Sequence, residues 1–161
     1  MAAALAQPVR ALGRPFVNVP ARGFWRDASL RLEYGREDVD AYLGWLDDGA
    51  LRREVLQTDG WYLPSLRDPD TNRATRAERC TLPPSAVLVV SGAVLLGLGL
   101  PFDRVVHLAM SPAARRRRTT PDEAWTLAAF DRYDAEVRPT DLADVVIRLD
   151  DPRHPAVRGL P

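Results

Sequence analysis

Apolar positions along the chain fall into short runs and helical repeats. Ala86–Val90 and Val105–Met110 are brief, Val-rich and continuous. Turn residues bound them: Pro83-Pro84 before the first, Pro101-Phe102-Asp103 between, and Ser111-Pro112 after the second. Runs of that length and composition predict strands buried on both faces of a parallel sheet. Ser111 at an N-cap with Pro112 at the first helical position predicts a helix carrying Arg115, Arg116, Arg117 and Arg118. The stretch therefore reads strand, Gly-rich connection, strand, basic helix. In open α/β sheets ligands collect at the carboxyl ends of strands, here Ser91-Gly92 and Ser111-Pro112.

The flanking sequence extends the pattern. Leu5, Val9 and Leu12 predict a helix over Ala2–Leu12, with Pro8 marking a kink or a later start and Gly13 its end. Phe16–Val19 reads as a strand. Asp38 caps a helix whose apolar face is Val39, Tyr42, Leu43 and Leu46, ending at Asp48-Gly49; Ala50–Leu56 follows as a second helix. Trp61–Leu82 reads as a hairpin around the turn Asp68–Asn72. Thr120 and Glu123 form a capping box with Pro121 inside it. Leu127, Phe130, Asp134 and Val137 then continue at helical spacing, and Pro139 ends the helix. Ala143–Ile147 is the last expected strand and 151–161 a loose polar tail. Strands alternating with helices predict an α/β domain over 1–150 with a mainly parallel sheet.

Composition narrows the chemistry. The chain has 161 residues, ordinary globular proportions and a formal net charge of zero, which argues against a nucleic-acid or anionic-membrane binder. Its basic residues are all Arg, so no lysine-dependent mechanism is open to it. The single cysteine, Cys80, fits a reducing cytoplasm and reads as inert. The apolar stretch Ala86–Phe102 is too short and Gly-rich for a membrane span. His107 and His154 are far apart; His107 reads as a core residue, and no His and Cys cluster of metal-site spacing exists. No Gly-x-Ser-x-Gly elbow is present.

Two segments hold candidate binding chemistry. Phe24-Trp25-Arg26-Asp27 with Glu33-Tyr34-Gly35-Arg36 suits either a ligand wall or a surface loop anchored by aromatics. Arg115–Arg118 suits either a phosphate clamp or a solvated helix face balanced by Asp122 and Glu123.

The order of these segments resembles the uridine kinase-like branch of the P-loop NTPases. VPARGFWR at Val19–Arg26 is similar to the family's second strand and its Asp-x-Phe-Tyr-Arg loop. Val39-Asp40-Ala41-Tyr42 is similar to its Pro-Asp-Ala-Phe. Trp61–Leu82 resembles the nucleoside-covering hairpin, residues 57–84 forming the excursion, and Leu88–Gly92 the Walker B strand. Phe102–Leu108 with Ser111–Arg118 resembles the fourth strand and an arginine-bearing lid over 111–123, and Tyr133–Val146 the closing segment. The resemblance implies a three-layer fold and phosphoryl transfer from ATP or GTP, with magnesium, to a ribose hydroxyl of uridine or cytidine. It also implies Asp40 on the ribose hydroxyls, Trp25, Arg26, Tyr34 and Arg67 near the nucleoside, and Arg115, Arg116 and Arg118 at the transferred phosphate.

Departures from the family pattern accompany it. The first strand and phosphate loop would precede Ala2, the general-base Asp falls at Arg22-Gly23, and the acid closing the Walker B strand is Ser91 beside Gly92. ATP and magnesium are thus implied by the resemblance alone. The expected partners are a nucleoside or nucleotide and, in a homo-oligomer, a second copy of the chain. One expectation is an impaired uridine or cytidine kinase, encoded with an in-frame phosphate loop upstream of Met1. Another is a non-catalytic pseudokinase that binds a nucleotide or a protein. The third is an α/β domain with merely solvated arginines. Loss of a central strand would leave an exposed apolar groove.

Overall fold

The computed structural model describes residues 2–159. In chain order the elements are α1 (Ala6–Ala11), β1 (Phe16–Pro20), α2 (Ala28–Arg31), α3 (Val39–Leu43), α4 (Asp48–Leu51), β2 (Trp61–Tyr62), β3 (Cys80–Thr81), β4 (Val87–Ser91), β5 (Val106–Ala109), α5 (Pro112–Arg118), α6 (Thr126–Glu136), α7 (Pro139–Leu142), β6 (Val145–Arg148) and β7 (Ala156–Arg158). The longest pairings, β1 with β4 and β5 with β6, are parallel, so the fold is α/β with mostly parallel strands. The chain divides into two compact units, Met1–Glu33 with Trp45–Ala93, and Tyr34–Gly44 with Val94–Pro161.

In the first unit β1 and β4 run in register from Phe16 opposite Val87 to Pro20 opposite Ser91. Their carboxyl ends therefore lie side by side, and both following loops leave from that end. Val19, Phe24, Leu51 and Val55 are its buried apolar core. The turn Ala21–Phe24 after β1 docks on the hairpin through Gly23, whose carbonyl accepts from Leu66 N at 2.9 Å and Arg67 N at 3.0 Å. A Cβ on Gly23 would sit 2.9 Å from Ser65 Cβ, closer than packed carbons tolerate. The hairpin forms as expected, β2 pairing antiparallel with β3 and Arg67 bridging Ala74. Its turn is an Asx turn: Asp68 Oδ1 accepts from Asp70 N at 3.0 Å and Thr71 N at 2.7 Å.

The later start marked by Pro8 is found: α1 begins at Ala6 and Pro8 falls in its first turn, where a missing amide costs little. Other expectations here are corrected. Leu5 and Leu12 are exposed rather than packed on a common face. Asp48-Gly49 does not end a helix but opens α4, because Asp47 Oδ1 caps it by accepting from Ala50 N at 2.8 Å. A π turn, Arg52–Leu56, continues α4.

In the second unit β5 pairs parallel with β6, and β6 pairs antiparallel with β7. Residues 156–158 thus form a strand where a loose tail was expected. β5 is not buried on both faces: Val106 and Leu108, two residues apart on one face, are 53% and 42% exposed. Ser111 caps α5 and Pro112 opens it, as the sequence predicts. α6 buries Thr126, Ala129 and Tyr133, not the expected face of Leu127, Phe130, Asp134 and Val137. The Thr120 hydroxyl meets Glu123 Oε2 at 3.2 Å instead of capping a backbone amide, and α6 itself starts later, at Thr126. α6 ends at Glu136, just before Pro139, and Pro139 also opens α7 after Arg138 turns the chain at φ +50°. Asp38 caps α3 by accepting from Ala41 N at 2.7 Å, and α3 ends at Gly44, short of Leu46. Among the described residues no helix is long and apolar enough to cross a membrane.

Candidate functional site

At the carboxyl end of β1 and β4 the first unit gathers aromatic and charged groups. Trp25 meets Trp45 edge-on, with ring centroids 5.3 Å apart. The Arg31 guanidinium lies 5.2 Å from the Trp25 centroid and 4.8 Å from that of Trp45. Its Nε donates to Arg26 O at 2.9 Å, and Trp45 Nε1 donates to Arg31 O at 3.0 Å. Two backbone bonds fix the pairing: Arg26 N to Trp45 O at 2.8 Å and Asp47 N to Phe24 O at 2.9 Å. The indole pair and the buried guanidinium thus hold Trp25 in place from within.

The outer side of the cluster is polar. Arg67 Nη1 pairs with Asp27 Oδ2 at 2.9 Å and donates to Asn72 O at 2.8 Å. Asn72 Nδ2 donates to Asp27 Oδ2 at 3.2 Å, and Asn72 Oδ1 accepts from Ala28 N at 2.9 Å. Asp27 Oδ1 accepts from Ser29 N at 2.9 Å and Ser29 Oγ at 2.8 Å, capping α2. The Ser29 bonds, then Asn72 and Arg67, hold the Asp27 carboxyl below its ordinary range. A carboxylate so engaged is a clasp between the loop and the hairpin, and is poorly matched to proton abstraction near neutral pH. Arg22, following β1, reaches Asp70 at 2.7 Å and stands 5.3 Å from the Trp25 centroid.

Of the expected site residues, Trp25, Arg26, Arg67, Ser91 and Gly92 belong to this unit. Trp25 contacts Arg22, and Arg67 is held by Asp27 and Asn72; the Arg67 amide also donates to the Gly23 carbonyl between Arg22 and Trp25. The Arg26 side chain turns to Leu46 O at 3.4 Å. Ser91 ends β4 opposite Pro20. Sequence reasoning did not single out Arg31, Trp45 or Asn72. Nothing local in the sequence marks a buried arginine between two tryptophans.

Tyr34, Asp40, Arg115, Arg116 and Arg118 belong to the second unit. Tyr34 is exposed. Asp40 pairs with Arg132, which also binds Glu136 at 2.8 Å. Arg115 is only 11% exposed; it bonds Asp131 at 3.1 Å and Asp134, 5.3 Å from the Phe130 centroid. Arg116 reaches Asp131 at 3.6 Å, and Arg118 donates to Asp150 O at 2.9 Å. The ion pairs of Arg115 and Arg116 are thus with Asp131 and Asp134, not with the expected Asp122 and Glu123, and Arg118 meets a backbone carbonyl. Burial pushes half-buried His107 down, against the nearby charge of Asp134. Tyr42 packs edge-on against Trp125 at 5.2 Å and Phe130 at 5.9 Å. A cleft of about 520 Å³ opens beside Trp125, lined by Arg36, Glu37, Pro121, Asp122 and Ala124.

No three His, Cys, Asp or Glu side chains among the described residues converge as metal ligands, and the β4 end offers Ser91 in place of an acid.

No protein-family model matches the chain, and no curated protein matches it. Among solved structures, it is similar to one described as a possible uridine kinase from Bacillus stearothermophilus. The TM-score is 0.70 and the identity 21%, over 90% of this chain and 78% of that one. The fold is uridine kinase-like.

Proposed function

We propose that this chain is a uridine kinase-like protein whose substrate side binds a pyrimidine nucleoside or nucleotide, and in which phosphoryl transfer is impaired. The observation that carries the reading is the loop after β1, at the shared carboxyl end of β1 and β4, which presents Trp25 flanked by Arg22 and Asp27 clasped by Arg67 and Asn72. An indole supplies a stacking face for a base, and the fixed guanidinium and carboxylate around it supply directional hydrogen bonds. The likeness of fold to a possible uridine kinase supports the same assignment. Impairment follows from what stands at that end. Arg22 follows β1 and Ser91 closes β4, so neither position supplies the carboxylate that would take the hydroxyl proton or hold a metal. Loss of one transition-state group typically costs on the order of 10²–10³ in rate.

Asp40, Tyr34 and the α5 arginines enter as the residues that the resemblance would place on ribose and phosphate. ATP and magnesium are implied by the resemblance alone. The second reading, a pseudokinase that binds without turnover, has the same support from Arg22 and Ser91. Thermal unfolding with uridine, cytidine and their monophosphates, followed by a labelled-ATP transfer assay, separates these outcomes. Stabilisation by a pyrimidine ligand with slow transfer supports impairment, and stabilisation without transfer supports the pseudokinase. No stabilisation by any of the four removes the nucleoside reading.

A further inference from the structure

Arg22 is the charged group that the nucleoside reading leaves without a task. It sits two residues beyond Pro20, the residue opposite Ser91, so it stands at the carboxyl end shared by β1 and β4. Its charge partner is Asp70 at 2.7 Å, and both side chains are open to solvent, 52% and 76% exposed. An exposed pair of this kind contributes little stability, so the guanidinium exchanges partners cheaply. It also stands 5.3 Å from the Trp25 centroid, against the ring that the proposed base would use. Arg22 therefore shields part of the indole. Once released from Asp70, it is a cation within reach of anything stacked there.

Building on the nucleoside reading, we propose that the ligand of this site is a nucleoside monophosphate, with Arg22 leaving Asp70 to bind the phosphate while the base takes its place at Trp25. A guanidinium matches two phosphate oxygens in a bidentate fork. Ser91 at the neighbouring strand end presents a hydroxyl, which does not repel a phosphate as a carboxylate would. The other basic group at this end, Arg67, is already held by Asp27 and Asn72 O. Asp68 and Asp70 on the hairpin turn oppose the additional charge of a di- or triphosphate. The same cation explains why a neutral nucleoside is the poorer fit: it would displace Arg22 from the indole and give it no new partner.

Calorimetry on the full chain with UMP, uridine and inorganic phosphate tests this. The expected result is UMP binding on the order of tenfold tighter than uridine, with inorganic phosphate weaker than both. Arg22→Ala should abolish the preference by weakening UMP while leaving uridine equal or tighter. Asp70→Asn, which frees Arg22, should tighten UMP and leave uridine unchanged. Both substitutions are at exposed side chains, and each variant's unfolding curve verifies its fold. Uridine binding as tightly as UMP, or a preference that survives Arg22→Ala, overturns the proposal while the nucleoside reading stands. Inorganic phosphate matching UMP overturns it in favour of a simple anion site. Failure of both UMP and uridine to bind the folded wild-type chain overturns the nucleoside reading and this proposal with it.

Discussion

The Arg31 guanidinium lies 4.8 Å from the ring centroid of Trp45, while the Trp45 indole N–H donates back to the Arg31 carbonyl at 3.0 Å. The Arg31 carbonyl satisfies the indole N–H, and the guanidinium lies over the ring while its Nε donates to Arg26 O at 2.9 Å. Arg31 is 7% exposed, an unusual position for a cation. Burial lowers its affinity for the proton, partly offset by Asp27, but the guanidinium stays charged across the physiological range.

Arg31→Ala should therefore cost about 2–4 kcal/mol, from lost cation–π contact, lost packing and a cavity beside both indoles. Arg31→Lys should recover only part of that, because an ammonium does not stack flat on two rings. Urea denaturation followed by Trp fluorescence checks both. A loss below about 0.5 kcal/mol for Arg31→Ala would show that the cluster does not depend on it.

Arg115 and Arg116 are adjacent in sequence and opposite in consequence. Arg115 is 11% exposed and neutralises both Asp131 and Asp134; Arg116 is 62% exposed and touches Asp131 alone at 3.6 Å. Arg115→Ala should destabilise by about 1–3 kcal/mol, because it removes the arginine from Asp134, leaves Asp131 with Arg116 alone, and loses the packing over Phe130. Arg116→Ala should cost no more than about 1 kcal/mol. Equal costs in equilibrium unfolding would contradict this division, and a negligible cost for Arg115→Ala would favour a mobile, phosphate-seeking role for it.

This contrast shows what the sequence makes legible. Local signals act within a few residues of themselves, and those at Ser111, Pro112, Asp38 and the Asp68–Asn72 turn predicted caps and turns correctly. Runs of Val located β4 and β5. What failed depends on distant partners. The four arginines look alike in the string, and only Asp131 and Asp134 on α6 distinguish Arg115. Likewise the buried face of α6 is set by Ala129 and Tyr133, which pack closely, not by the bulkier Leu127 and Phe130. β7 has three residues, too few for any periodic signal, and exists because β6 has an edge to pair with.

Asp27 gives a pH dependence. Its carboxyl titrates below its ordinary value because Ser29, Asn72 and Arg67 favour the charged form. The folded value lies below the unfolded one, near 3.9. The resulting stabilisation is present above the unfolded value and is lost as pH falls through the folded one. Asp27→Asn should flatten that part of the stability profile on the acid side of the unfolded value, relative to the parent chain. Profiles from urea midpoints that stay parallel over this range would show that Asp27 is not the responsible group.

At the other end of the scale stands Tyr133. Its hydroxyl donates to Leu96 O and accepts from Leu96 N, each at 3.0 Å. Burial, helped by nearby Asp134 and opposed by the Leu96 amide, pushes the phenol up to about 12. Because the folded value exceeds the unfolded one, near 10, its contribution is complete below about pH 10 and is lost as pH rises through about 12. Burial also raises Tyr42 and Tyr62, so ultraviolet titration of the folded protein should show several late-ionising tyrosines, the component near 12 being removed in Tyr133→Phe. If that component persists in the variant, it belongs to another tyrosine.

Tyr133 grips Leu96, and the next residue explains why the loop needs gripping. Gly97 has φ +88°, and a Cβ built there would lie 2.7 Å from Val137 Cγ1, at the C-terminal cap of α6. Gly97→Ala thus meets both a backbone conformation that L-residues avoid and a steric clash. A cost of about 2–4 kcal/mol is expected for the sum. Val137→Ala removes the obstructing methyl groups but not the backbone strain. The double variant should therefore recover the clash and retain about 1–2 kcal/mol for φ, apart from the separate cost of Val137→Ala. A double-mutant cycle in urea measures that coupling. Strictly additive costs would mean that the loop moves off α6 to make room, and Tyr133→Phe should then make Gly97→Ala cheaper still.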